Sequence, residues 1–215
     1  MIKELKTILQ LLKYGNGIKV LGVLSILCSL FGIVLVFISS DIARFLGGFY
    51  FVLGVLFLFQ IILSLNSSKL IQSSGYKKKI ETFYVFLLSV PLILINYTIM
   101  VFIYCKMADD ESKNYIFLLA LMVFFVLIYF GICFKYYIIP TFVFMIISIP
   151  TMAAILDSES IYEKFFFYND LKLTIVVSYA VILIGIAISM LLIKALYKKD
   201  FSKYAFGKFN SKNTK

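Results

Sequence analysis

The chain has 215 residues, of which 62% are hydrophobic, 18% aromatic and only 15% charged, and its mean hydropathy is +1.01. A soluble domain contains about 45–50% apolar residues and buries roughly 70% of its surface at this size, so it could not hide this much apolar surface. The composition excludes an ordinary soluble enzyme, a disordered chain and a nucleic-acid-binding domain. It predicts an all-α, polytopic membrane protein, in which the net charge of +10 marks the cytoplasmic face rather than a nucleic-acid partner.

Residues 1–16 are predicted to form an amphipathic helix that lies in the membrane interface. Apolar residues recur there at helical spacing, and lysine, glutamate and glutamine occupy the positions between them. Gly15 and Gly17 end this helix before the first long apolar run. A signal peptide is the competing interpretation, and it is disfavoured because the apolar run starts late and no small-x-small cleavage site follows it.

Residues 17–197 are predicted to form a domain of six transmembrane helices. A helix needs about 20 apolar residues to cross about 30 Å of hydrocarbon, and six segments reach that length. Their runs are continuously apolar, without the alternation that is typical of barrel strands. The predicted spans are residues 18–38, 45–65, 83–105, 115–134, 137–156 and 173–196, and a basic tail follows at 198–215.

A few polar residues and prolines inside the spans are candidates for packing, pathway or hinge positions. Buried amides and hydroxyls join membrane helices, with a measured average of about 0.6 kcal/mol each. A proline removes one helix hydrogen bond and can kink the span, so two of them make the fifth span the expected bent or mobile helix. The polar candidates are Gln60, Asn96, Tyr97 and Thr98, and the hinge candidates are Pro91, Pro140 and Pro150.

The distribution of charged residues along the chain predicts its orientation in the membrane. With the N-terminus in the cytoplasm, 16 of the 21 lysines and arginines fall on the cytoplasmic side and five fall outside, whereas eight of the 11 acidic residues fall outside. Such an excess over short loops is a strong positive-inside signal, to which the acidic residues add little. We therefore expect an even number of spans and two cytoplasmic termini, with the basic tail on the inner leaflet of the cell membrane.

No catalytic constellation is found in the sequence. Histidine is absent, every acidic residue lies outside the predicted spans, and no GxxxxGK[ST] phosphate loop is present. The three cysteines lack metal-site spacing, and the adjacent acids at 109–111 are expected to be a solvated turn. The chain is therefore predicted to be no enzyme, with no catalytic, metal-binding or cofactor-binding residues and no cofactor of its own.

The connection between the second and third spans, residues 66–82, is the longest cytoplasmic one. It joins small polar residues to a lysine triplet, which suits either a linker that sets topology or a docking segment for a cytoplasmic partner. The outer segment 157–171 is rich in aromatic residues between two aspartates and is predicted to lie at the outer interface. The candidate docking residues are Ser73, Ser74, Gly75, Tyr76, Lys77, Lys78 and Lys79.

This layout resembles the membrane subunits of type-2 ABC exporters (the ABC-2 family). Those chains have an N-terminal interfacial helix, six spans with cytoplasmic termini, a coupling helix between spans two and three, and short outer helices between spans five and six. Residues 1–14, 66–82 and 157–171 match these three features, and Gln72–Lys79 looks like the family's stretch of small and then basic residues.

The resemblance implies a permease subunit that forms a translocation pathway as a dimer. It further implies a second permease subunit, identical or homologous, and a separate cytoplasmic ATP-binding subunit that engages residues 66–82. Two alternatives stay open at this stage. One is a non-transporting immunity, sensor or scaffold protein of the membrane, and the other is the substrate-binding membrane subunit of an importer.

Overall fold

The computed structural model describes residues 18–38, 41–66, 77–79, 82–83, 85–107, 112–133 and 170–197. Every regular element in these ranges is helical, and five of the helices are long while one is a single turn. They are α1 (Ile18–Val36), α2 (Asp41–Asn66), α3 (Lys77–Lys79), α4 (Val85–Met107), α5 (Ser112–Cys133) and α6 (Leu171–Leu196).

Four of the described helices are long and apolar enough to cross a membrane. Their apolar stretches correspond to the predicted spans at 18–38, 83–105, 115–134 and 173–196. The prediction of an all-helical chain is therefore confirmed for the described residues, and the four candidate membrane-spanning helices suggest a multi-pass membrane protein. The stretches are Lys19–Val36, Ser89–Lys106, Lys113–Ile132 and Leu171–Leu196.

The other predicted segments have different outcomes. The second predicted span, 45–65, lies entirely within α2, whose described apolar stretch is the shorter Leu46–Ile61. The fifth predicted span, 137–156, lies outside the described residues, together with Pro140 and Pro150. The interfacial helix predicted at 1–16 and the tail at 198–215 also lie outside them.

α5 occupies the centre of the described bundle and α1 its edge. α5 packs against α2, α4 and α6, and side chains such as Ile116 and Leu127 have 0–1% of their surface exposed. α1 packs chiefly against α2, and its Val20 and Ile26 are more than 60% exposed. Lipid tails are as apolar as these side chains, so an outward-facing apolar surface is stable in a membrane.

α1 and α2 approach each other closely because glycine and serine line their contact. A Cβ added to Gly32 would lie 2.6 Å from the Gly47 carbonyl oxygen, well inside any normal contact distance. Two turns along α2, the Ser25 hydroxyl donates a hydrogen bond of 2.7 Å to the Gly54 carbonyl. Small residues of this kind allow two membrane helices to meet backbone to backbone.

α5 and α6 run in the same direction. A Cβ on Gly131 of α5 would lie 3.2 Å from Ser189 Cα, and a Cβ on Gly185 of α6 would lie 3.0 Å from the Phe124 ring. The contacts therefore advance along both helices together. α2 is parallel to α5 as well, since a Cβ on Gly48 would approach the Leu119 side chain and the rings of Phe59 and Phe130 lie 4.3 Å apart.

The helix directions separate the bundle into two ends. α2, α5 and α6 run one way, whereas α1 and α4, each joined to its antiparallel neighbour by a short connection, run the other way. One end of the bundle contains the start of α1, the turn α3 and the end of α6. We call it the lysine end, because four exposed lysines lie there: Lys19, Lys78, Lys79 and Lys194. Asp41 and Asp170, which are the acidic residues within the described ranges, lie at the opposite end.

α6 has a defined cap at each end. The Asp170 carboxylate accepts a hydrogen bond of 2.9 Å from the Lys172 backbone N–H, and the Asp170 carbonyl accepts from both the N–H and the hydroxyl of Thr174. At the other end the Tyr197 N–H donates to the Ile193 carbonyl at 2.8 Å. An aspartate at the N-cap also suits the positive end of the helix dipole.

Candidate functional site

A hydrogen bond between two side chains joins α4 to α6. The Thr98 hydroxyl donates to the Leu94 carbonyl at 2.7 Å, so its single proton is already used. The Tyr179 hydroxyl, 2.7 Å from Thr98 Oγ1, is therefore the donor in that pair. The result is a relay of two hydrogen bonds that leads from α6 to the backbone of α4.

Tyr97 extends this contact to α5. Its ring meets the Tyr179 ring edge to face at 5.1 Å between centroids, and its hydroxyl donates to the Ile116 carbonyl at 3.2 Å. Only 2% of its surface is exposed, and the fully buried Ser178 precedes Tyr179 on α6. Tyr97, Thr98, Ser178 and Tyr179 therefore form a group of hydroxyl-bearing side chains where α4, α5 and α6 meet, which we call the polar seam.

Asn96 does not take part in the polar seam. Its side-chain amide donates to the Leu92 carbonyl of its own helix at 2.7 Å, four residues earlier. It projects from a different flank of α4 than Thr98, because two residues correspond to about 200° around a helix. Pro91 lies nearby on an exposed position of α4, within the helix as predicted for a kink candidate. Whether Asn96 lines a pathway or Pro91 acts as a hinge stays a prediction.

Gln60, the remaining polar candidate, is buried in α2 with 8% of its surface exposed. It lies in the half of α2 that leads towards the lysine end. This burial is compatible with either of the roles predicted for it, helix packing or pathway lining.

Of the candidate docking residues 73–79, the structure describes the lysine triplet. Lys77–Lys79 form the single turn α3, and the Thr82 hydroxyl donates to the Lys78 carbonyl at 2.6 Å. The Lys78 ammonium lies over the ring of Tyr197 at the end of α6, 5.7 Å from the ring centroid. The structure thus brings Lys78 of α3 to the end of α6. Ser73, Ser74, Gly75 and Tyr76 lie outside the described residues.

Sequence reasoning missed two features that the structure shows. Tyr104 is 1% exposed, stacks on Tyr115 at 5.7 Å, and its hydroxyl donates to the Arg44 carbonyl at 3.2 Å. Its position seven residues after Tyr97 places both tyrosines on one face of α4, which is a signal that the sequence does contain. The contact of Tyr197 with Lys78 had no such signal, because it joins segments that are far apart in the chain.

The described side chains at these places offer hydroxyl groups and lysine ammonium groups. Within the described ranges, no three His, Cys, Asp or Glu side chains come together in a way that could hold a metal ion. A set of hydroxyls among apolar side chains can bond helices to one another or line a path for a solute, and lysines at a bundle end can bind anionic partners. No family model, curated protein or solved structure matches the chain.

Replacing both hydroxyls of the polar seam tests whether they join α4 to α6. In a double-mutant cycle on Thr98→Val and Tyr179→Phe, we expect a coupling of about 0.6 kcal/mol in the free energy of unfolding, the typical value for a hydrogen bond between membrane helices. Phenylalanine keeps the ring contact with Tyr97. The measurement is reversible unfolding in mixed micelles.

The matched control pairs Tyr179→Phe with Asn96→Leu. Because the Asn96 amide bonds its own helix, the effects of these two substitutions should add without coupling. A coupling as large in the control pair as in the Thr98 pair, or none in the Thr98 pair, would contradict the assigned hydrogen bond.

Proposed function

We propose that the chain is the membrane-spanning permease subunit of an ATP-driven ABC-2 exporter in the cell membrane. Two such subunits, identical or homologous, form the translocation pathway. A separate cytoplasmic ATP-binding subunit docks on the segment 66–82 and drives the pathway between its states. This chain contributes the pathway and the docking segment, and the partner contributes ATP hydrolysis.

The position of α3 is the observation that carries the proposal. α3 lies at the lysine end, and Lys78 contacts Tyr197 at the end of α6. α6 in turn packs along α5, the central helix of the described bundle. A displacement of α3 by a partner would therefore be transmitted to two long helices through direct contacts, which is what a coupling segment requires.

Six crossings and cytoplasmic termini are part of the same proposal. Because α5 and α6 are parallel, residue 133 and residue 170 lie at opposite ends of the bundle, and the proposal includes one return between them. A crossing by residues 137–156 would supply that return. The lysines of the lysine end favour the cytoplasmic side of the membrane for that end of the bundle.

The partner predicted by this function can be sought directly. Purified in mild detergent from the organism that encodes it, the tagged chain should retain a second protein with a GxxxxGK[ST] phosphate loop, identified by mass spectrometry. Retention of other membrane proteins without any nucleotide-binding chain would contradict the exporter and favour a non-transporting role.

Charge reversal of α3 tests the docking segment. In the triple variant Lys77→Glu, Lys78→Glu, Lys79→Glu, we expect at least about tenfold less of the ATP-binding chain to be retained, because like charges at an interface cost several kcal/mol. The control is Lys106→Glu, Lys113→Glu, Lys172→Glu, which reverses three lysines at the opposite end and should leave retention unchanged. Equal retention in both triple variants, at equal membrane insertion, would rule out docking on α3.

A further inference from the structure

The lysine end carries an aromatic ring, that of Tyr197, close to two lysines. The Lys78 ammonium lies 5.7 Å from the ring centroid of Tyr197. Lys194 precedes Tyr197 by three residues, so the two side chains are neighbours on the surface of α6. Both lysines are exposed, whereas Tyr197 is half-buried.

An apolar stripe of α6 leads to this ring. Ile184 and Leu191 are 55% and 66% exposed, and their spacing of seven residues places them on one face of the helix. Lys194 continues that face by one more turn. Exposed apolar side chains at this depth face lipid tails, so a lipid that lies along Ile184 and Leu191 has its head group beside Lys194 and Tyr197.

The charge at this end selects the type of head group. Lys19, Lys78, Lys79 and Lys194 are exposed at this end, whereas the two acidic residues of the described ranges, Asp41 and Asp170, lie at the opposite end. Lysines near the membrane surface favour anionic over zwitterionic lipids, and tyrosine rings prefer the level of the head groups.

We infer that Lys78, Lys194 and the ring of Tyr197 form a binding site for the head group of an anionic phospholipid from the same leaflet. The phosphate lies between the two ammonium groups, and one acyl chain lies along Ile184 and Leu191. The site goes beyond the proposed exporter function. It shares Lys78 with the proposed docking segment, but lipid binding itself requires no ATP-binding partner.

The absence of tryptophan from the chain allows a clean test. Tyr197→Trp introduces a single indole that keeps the cation–π contact with Lys78, since tryptophan is the best ring for it. In phosphatidylcholine vesicles, brominated phosphatidylglycerol should quench this indole with a relative binding constant about 25-fold above that of brominated phosphatidylcholine, about fivefold for each of the two lysines. Equal quenching by the two lipids would overturn the site.

Two single substitutions in the Tyr197→Trp background separate the site from general surface charge. Lys78→Gln should lower the preference for phosphatidylglycerol about fivefold, the contribution of one juxtamembrane lysine. Lys106→Gln is the matched control, because Lys106 also lies over a ring, 5.5 Å from the centroid of Phe102, at the opposite end of the bundle. An equal loss in both variants would overturn the site.

A second measurement avoids tryptophan altogether. The delipidated wild-type chain, mixed with equal amounts of phosphatidylglycerol and phosphatidylcholine, should retain phosphatidylglycerol preferentially in native mass spectrometry. The double variant Lys78→Gln, Lys194→Gln should lose that preference. A preference that survives in the double variant would place anionic lipid elsewhere on the protein and overturn the proposal.

Discussion

Gly32→Ala is expected to destabilise the membrane domain by about 1–3 kcal/mol, although alanine is the better helix former. The added Cβ would lie 2.6 Å from the Gly47 carbonyl oxygen and 2.9 Å from the Phe51 backbone nitrogen. Both atoms belong to the backbone of α2, so no side chain can turn aside to make room. α1 and α2 would have to separate, and the hydrogen bond from Ser25 to the Gly54 carbonyl, at 2.7 Å, would lengthen with them.

Gly22→Ala is the matched control for this substitution on the same helix. A Cβ on Gly22 meets no atom of the described residues within 4 Å. The same exchange there should be neutral or should stabilise by up to about 1 kcal/mol through helix propensity alone. The midpoint of unfolding in mixed micelles measures both variants. Equal midpoints for Gly32→Ala and Gly22→Ala would contradict the close packing of α1 on α2.

Hydropathy was enough to predict the long helices but not the faces that they bury. The apolar segments 18–38, 83–105, 115–134 and 173–196 coincide with described helices because a run of about 20 apolar residues has few other stable forms in a membrane. Within α4, however, Ile93 is 2% exposed and Ile95 is 58% exposed. Since lipid tails are as apolar as a protein core, both faces carry the same residue types and no periodic pattern separates them.

The candidate site was predictable in part, for a similar reason. Tyr97 and Thr98 could be selected because polar groups inside a span need partners, and both do contact other helices. Asn96, selected on the same ground, bonds a carbonyl of its own helix, an option that every helical asparagine has. The partner of Thr98 lies 81 residues away on α6, and no local pattern could identify it.

Because α5 and α6 run in the same direction, we can predict on which side of the membrane several lysines lie. Lys113 lies at the start of α5 and Lys172 at the start of α6. Parallel packing puts both at the same end of the bundle. Lys79 in α3 lies at the other end, near Tyr197. The proposed crossing by residues 137–156 is the step that allows Lys113 and Lys172 to share a side.

Cysteine labelling in intact cells measures these sides directly. Each of Lys79, Lys113 and Lys172 is replaced by cysteine, one at a time, in a chain whose Cys28, Cys105 and Cys133 are changed to alanine, and a membrane-impermeant maleimide is added before or after permeabilisation. We expect Lys113→Cys and Lys172→Cys to react in intact cells, and Lys79→Cys to react only after permeabilisation. Reaction of Lys172→Cys only after permeabilisation, with Lys113→Cys reactive before it, would contradict the six-crossing arrangement.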